Sequence, residues 1–210
     1  MTNNREQKKR RTFAAIADAA ATCFDNNGYD ATSIETIART AGVSAGTVYN
    51  YFGTKNAILA AIVTGQVDEI MGEAGESLDL AAENPVDALM PLLGIYLDRM
   101  TGYGPELLKE LFRAGFDPTQ TDLLADFVFA DERVLVQLSD SLREMKLHGL
   151  LSPDVDIGGA ALLIYSIVAV GLMMFISVPG TTPRQVRAVC SAQLELAFDG
   201  LGSSSDPLKG

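Results

Sequence analysis

The chain has 210 residues, 48% of them hydrophobic and 20% charged, with a formal net charge of −11. That length suits one domain or two small ones, and so much apolar residue excludes disorder as the main state. Taken whole, the acidic balance speaks against a nucleic-acid partner. The charge is unevenly spread, however: residues 1–60 carry +2 and residues 61–210 carry −13. Five cations fall between Arg5 and Arg11. Such asymmetry suggests a polyanion-binding end joined to a body with another task, although on charge alone a solvated basic tail is the slightly better account. Cys23 and Cys190 lie too far apart in sequence to suggest a disulfide framework and suit a reducing compartment. The polar, basic start has no apolar run behind it, so no secretory signal is visible and a cytoplasmic location is expected.

Strand signals are nearly absent, because no β-branched run alternates with polar residues over a useful length. Phe13, Ile16, Ala17, Ala20, Cys23 and Phe24 recur at three- and four-residue steps and predict a first helix with one apolar stripe. Asn26, Asn27 and Gly28 end it, with Gly28 as a left-handed cap. Thr32, with Glu35 three residues on, predicts a capping box for a second helix that turns Ile34, Ile37 and Ala38 inward and stops at Gly42. A short third helix runs from Ser44 to about Asn50, and Thr54 caps a fourth carrying Ile58, Leu59, Ile62 and Val63. Pro85 and Pro105 suit first-turn positions of helices over 86–100 and 106–116. Beyond Asp117-Pro118 an amphipathic stretch from about Thr119 reaches His148-Gly149, and a nearly continuous apolar helix covers 154–178. Thr182-Pro183 with Gln185 opens a last helix ending near Leu201, after which residues 202–210 form a flexible tail. The chain is predicted to be all-α, with about nine helices and no internal repeat.

Residues 32–52 carry a spacing with physical meaning. A helix-turn-helix needs a small residue where its helices cross, which Ala38 supplies, and a residue tolerant of positive φ four positions on, which Gly42 supplies. Ile34, Ile37, Val43 and Val48 are the apolar anchors that fix the crossing. Ser44 caps the following helix, whose first turn presents free N–H groups and a positive dipole end to a phosphate. Ala45, Gly46, Thr47, Tyr49, Asn50 and Tyr51 remain on its surface. The small residues permit close approach to the major-groove floor, Thr47 and Asn50 suit base edges, and the two tyrosine hydroxyls suit phosphates. Lys55, at the start of the next helix, sits against the dipole; a phosphate partner explains it, and a solvated lysine explains it almost as well.

On these residues the chain resembles the TetR family of bacterial transcription regulators. The resemblance runs from about Arg11 to Leu59, through Phe24-x-x-x-Gly28-Tyr29-x-x-Thr32-Ser33-Ile34 and Ile37-Ala38-x-x-Ala41-Gly42-Val43-Ser44-x-Gly46-Thr47-Val48-Tyr49-x-Tyr51-Phe52-x-x-Lys55. It implies a three-helix DNA-binding domain over 1–53, including a basic arm over 1–11, and a helical ligand-binding and dimerisation domain over 54–201. It further implies a homodimer on a palindromic operator, usually repressing, and released by a small-molecule effector. Its DNA-contacting surface maps to Ser44, Ala45, Gly46, Thr47, Tyr49, Asn50, Tyr51 and Lys55, with Thr32 and Ser33 at the neighbouring helix start. Arg10 and Arg11 of the arm would add phosphate or minor-groove contacts.

Residues 157–178 hold no charge, so by length they qualify as a membrane span. The preceding flank is acidic, with Asp154 and Asp156, and no cationic cluster follows closely, which favours a helix buried in a dimer over a span. The resemblance implies a dimeric four-helix bundle, and the expected interface is Ile164, Val168, Leu172 and Phe175 with Val186, Val189, Gln193, Leu194 and Ala197. An effector pocket is implied in the same way. Its candidates are the large groups Tyr96, Met100, Tyr103, Phe112, Phe116, Phe127, Tyr165 and Met173, each of which is also a plausible core residue. His148 stands alone beside Gly149 at a helix end, where a capping role outweighs a metal or catalytic one. No metal-ligand cluster, nucleophile elbow, phosphate loop or dinucleotide fingerprint is present in the sequence, so no cofactor is expected and enzyme is the weakest class.

Overall fold

The computed structural model describes residues 2–65, 67–115 and 121–200, with side chains over 5–65, 67, 69–113 and 132–200. Its helices are α1 (Thr2–Asn27), α2 (Ile34–Thr40), α3 (Ala45–Phe52), α4 (Lys55–Gly65), α5 (Val67–Glu76), α6 (Pro85–Gly102), α7 (Gly104–Gly115), α8 (Thr121–Leu147), α9 (Ile157–Ser177) and α10 (Pro183–Asp199). No strand occurs among the described residues, as expected of an all-α chain. The stretch after Thr54 forms two helices, α4 and α5, on either side of position 66. Two compact units emerge, one drawing on 1–69 and 104–132, the other on 70–103 and 133–210. The first unit therefore takes in more than residues 1–53, because α7 packs on α4.

In the first unit α1 buries Ile16, Ala19, Ala20, Cys23 and Phe24 and packs on α2 and α4. Each such large apolar side chain contributes about 1.5–3 kcal/mol on burial, which sets the orientation of α1. Phe13, the first member of the expected stripe, departs from it: it is 41% exposed and stacks on Phe52, the last residue of α3, with centroids 4.6 Å apart. The basic stretch 5–11 continues the helix of α1 rather than forming a separate arm. The cap of α2 is Ser33, not Thr32, its hydroxyl accepting from the Thr36 amide at 3.1 Å. Thr32 is buried instead, its hydroxyl within reach of the Cys23 and Gly28 carbonyls at 3.1 and 2.8 Å. An inward-turned hydroxyl cannot cap, so the Thr32–Glu35 capping box does not form.

In the second unit α6, α9 and α10 pack on one another. Asn84 caps α6, and Thr182 and Gln185 form the capping box expected for α10. Two glycines mark where a side chain of α10 seats directly against the backbone of another helix. A Cβ at Gly94 of α6 would meet the Arg187 guanidinium at 2.6 Å, and one at Gly171 of α9 would meet Cys190 Sγ at 2.7 Å. Arg187 donates to the Gly94 carbonyl at 3.2 Å and to Asp98 at 2.5 Å, fastening α10 to α6. His148 caps the end of α8, with Nδ1 2.9 Å from the Glu144 carbonyl.

The two faces of α9 differ from the expected assignment. Ile164, Leu172 and Phe175 are buried against the chain's own helices, as are Val186 and Leu194 of α10. Val168, Val189 and Gln193 are half-buried, and Ala197 is exposed. The outward row is Leu162, Leu163, Val170 and Met173, each about half exposed, with Leu196 of α10. A helix apolar all round carries two candidate stripes, and periodicity alone does not say which one the chain keeps for itself. This helix is long and apolar enough to cross a membrane, with a mean hydropathy of 2.4.

Candidate nucleic-acid interface

The turn between α2 and α3 is built as its sequence requires. Gly42 takes φ +69°, a conformation that costs L side chains about 1–2 kcal/mol. The Val43 amide then reaches back to the Ala38 carbonyl at 2.9 Å, and Ala38 is buried at the crossing. Val48 is fully buried, so one face of α3 is anchored and the other is turned outward. The α3 cap is Ser44, which accepts from the Thr47 amide at 3.1 Å, while the two hydroxyls lie 2.9 Å apart. Thr47 is thereby held in place before any ligand arrives. Gly46, Tyr49 and Asn50 are exposed, and Ala45, Thr47 and Tyr51 are half exposed. No carboxylate lies in the first turn, so beyond the Ser44 cap no charge offsets the positive end of the dipole. The resulting surface suits a phosphate at its start and base edges along its length.

Two expected contact residues are placed elsewhere. Thr32 is buried under the turn that joins α1 and α2. Lys55 folds back onto that same turn, its Nζ donating to the Tyr29 carbonyl at 2.6 Å and the Thr32 carbonyl at 3.0 Å, 4.1 Å from the Tyr29 ring centroid. Burial lowers its pKa from the ordinary lysine value, with Asp30 and then Glu110 opposing that shift. Tyr29 in turn donates its hydroxyl to Asn56 and, chiefly through burial, is pushed up to about 12. Lys55, Tyr29 and Asn56 therefore fasten the start of α4 to the turn before α2. Tyr29 and Asn56 carry no sequence signal of this role; a lysine against the dipole at a helix start is the one feature pointing here. Arg10 and Arg11 are exposed on α1, as a phosphate-facing role requires, and Ser33 is exposed at the α2 cap.

The effector candidates do not converge on one cavity among the described residues. The Tyr96 hydroxyl donates to the Gln137 side-chain oxygen, and the Gln137 amide donates to the Met71 carbonyl at 2.7 Å. Burial pushes the Tyr96 phenol up to about 12. Met100, Tyr103, Phe112 and Tyr165 are half-buried, whereas Met173 stands on the outward face of α9 and lines no interior. Phe116 and the Phe127 side chain lie outside the described residues. A cleft of about 240 Å³ does open between the start of α9 and the end of α10, lined by Val155, Gly159, Leu163, Leu194 and Phe198, none of them expected pocket residues. Among the described residues no group of three His, Cys, Asp or Glu side chains is placed to hold a metal ion.

Residues 16–62 match the family described as bacterial regulatory proteins, tetR family. The chain is 40% identical over 60 residues to the A-factor receptor protein of Streptomyces griseus, covering 29% of this chain and 22% of that one. It is 36% identical over 67 residues to the HTH-type transcriptional repressor KstR2 of Rhodococcus jostii, covering 32% of each. The chain thus spans less than half the length of these curated relatives. Among solved structures, the TetR-family repressor FadR of Thermus thermophilus in complex with lauroyl-CoA superposes with a TM-score of 0.72 at 22% identity, over 94% of this chain and 99% of that one. The fatty acid degradation regulator FadR of Bacillus halodurans gives 0.65 at 21%, over 90% and 96%. At that identity the likeness establishes the fold.

Proposed function

We propose that the chain, whose residues 16–62 match the tetR family of bacterial regulatory proteins, is a ligand-responsive transcriptional repressor that binds a palindromic operator as a homodimer. The observation that carries this reading is α3: a capped helix, anchored by Val48, whose outward face bears Thr47, Tyr49 and Asn50 and whose first turn lacks a carboxylate. Ser44, Ala45, Gly46 and Tyr51 complete its groove-facing surface, with Ser33 and the α1 cations Arg10 and Arg11 on phosphates. Residues 1–53 then act as the DNA-binding domain and 54–201 as the ligand-binding and dimerisation domain. The protein is proposed to work in the cytoplasm and to catalyse no reaction.

The outward row of α9, with Leu196, is too apolar to face water and fits a second copy of the chain. Dimer symmetry would place two α3 helices in successive major grooves, about one helical turn apart or somewhat more. A small, largely apolar effector is proposed to bind the body and favour the dimer shape whose heads no longer match that spacing, which lowers operator affinity by its differential affinity for the two shapes. The Thermus FadR repressor of the same fold is in complex with lauroyl-CoA, whose acyl chain is apolar and whose coenzyme A part is charged. Gel shift of the chain's own promoter fragment, selective over unrelated duplex and weakened by salt, tests the reading; no selective shift overturns it. The hydropathy of α9 favours one rival, a membrane-associated protein, and recovery in the membrane fraction would establish that instead.

A further inference from the structure

Among the described residues the buried polar side chains are those of Thr32, Thr101 and Ser141. Thr32 is bonded to two carbonyls, and Thr101 donates to the Leu97 carbonyl at 2.6 Å. Ser141 of α8 differs: it is 7% exposed, and its hydroxyl has no hydrogen-bond partner among the described residues. It does not use the carbonyl one turn back, as Ser139 does with Leu135 at 2.8 Å. An unpaired buried hydroxyl is costly, so an apolar residue would serve the free fold better. Ser141 follows Gln137 by four residues and shares its face of α8. Within the second unit, Gln137 accepts from the Tyr96 hydroxyl of α6 and donates to the Met71 carbonyl of α5 at 2.7 Å. Gly75 makes room for that amide, since a Cβ there would lie 3.1 Å from Nε2. The buried side chains on the same two helices are apolar, with Leu92, Leu93 and Leu97 on α6 and Leu138, Leu142 and Met145 on α8. Arg99 pairs with Glu73, Arg143 pairs with Asp140, and Arg133 has a partner as well. Burial raises the Tyr96 phenol with no contribution from a charged group.

Resting on the regulator reading above, we propose that Ser141, beside the Tyr96–Gln137 pair, is the polar anchor for the effector, and that the effector is an uncharged, largely apolar molecule with one carbonyl or hydroxyl oxygen. That oxygen takes the hydrogen bond Ser141 lacks, and the hydrocarbon lies on the leucines of α6 and α8. A carboxylate or an ammonium does not fit, because a charge placed beside the anchor would be desolvated without a free partner of opposite sign.

The test is calorimetric titration of the full chain with 2-alkanones of six to twelve carbons and with the fatty acids of the same lengths. At the best length the ketone should bind the wild type at least roughly tenfold more tightly than the carboxylate. Ser141→Ala should weaken the ketone by about fivefold, the worth of one neutral hydrogen bond, and leave the carboxylate unchanged. The melting temperature of the ligand-free Ser141→Ala chain should stay level or rise, because an unpaired hydroxyl has been removed; a merely structural serine would lower it. Ser139→Ala, whose hydroxyl is already paired, should bind the ketone as the wild type does. Equal affinity for ketone and carboxylate, no ketone binding at any length, undiminished ketone affinity in Ser141→Ala, or a lower melting temperature in that variant overturns the anchor. Selection of a duplex from a randomised pool by the ligand-free wild type then leaves the regulator reading intact, and failure to select one overturns both.

Discussion

The Lys55 ammonium lies 2.6 Å from the Tyr29 carbonyl, so a cation expected to meet DNA instead closes the turn between α1 and α2. A charged donor on two carbonyls contributes about 1.5–3 kcal/mol per bond in favourable sites, less where water reaches it. Lys55→Ala is expected to lower the stability of the chain by about 1–2 kcal/mol. It should also weaken binding to all DNA sequences alike, because α2 and α3 lose their fixed seat. Denaturant unfolding together with gel shift checks this; a loss of DNA affinity at unchanged stability would return Lys55 to a direct phosphate contact.

Tyr29 and Tyr96 predict the alkaline limit of the fold. Burial raises both phenols from 10.0 to about 12, so the unfolded chain releases these protons first. The stability they provide is fully present below pH 10 and is lost as pH rises towards about 12. Phenolate absorbance should show Tyr29 and Tyr96 ionising late, together with the unfolding transition. Tyr29→Phe/Tyr96→Phe should flatten stability against pH in that window.

On α3, Thr47 and Asn50 are expected to carry base preference and Tyr49 to carry uniform affinity. Replacing Thr47 or Asn50 by Ala should change the bases selected, at about 1–3 kcal/mol of discrimination for each base pair no longer read. Tyr49→Ala should weaken every sequence by a similar factor. Selection from randomised duplexes distinguishes the two outcomes.

Gly42→Ala tests the turn. With φ at +69° and open space around the added methyl, the penalty is conformational, about 1–2 kcal/mol. The melting temperature should fall, and operator affinity should fall further than the melting curve alone accounts for.

The outward row of α9 should govern oligomeric state. Met173→Asp or Leu162→Asp is expected to give monomers by light scattering with the helical circular dichroism retained. Ile164→Asp, buried within the chain, should instead unfold it.

How legible these features are in the sequence varies by residue. Ser44, Gly42 and Ala38 are readable because a cap, a positive φ and a close crossing each demand a particular residue type within a few positions. Thr182 with Gln185 is readable for the same reason. Thr32 misleads, since both Thr32 and Ser33 satisfy the local cap rule and the choice depends on the Cys23 and Gly28 carbonyls arriving above Thr32. Lys55 misleads because its partners lie over twenty residues away along the chain.

Local rules thus determined what lies within one or two turns of helix: the all-α class, the helix-turn-helix with its Ser44 cap, and the separation of a basic start from an acidic remainder. That division resolves the net charge of −11, which sums two regions of opposite sign. Tertiary structure decided which of two apolar faces of α9 is kept inside, where Lys55 turns, and that Phe13 leaves the buried stripe of α1 to stack on Phe52. Each of these is a choice between locally equivalent options. It is settled by which distant surface removes more apolar area from water or supplies the missing hydrogen-bond partner.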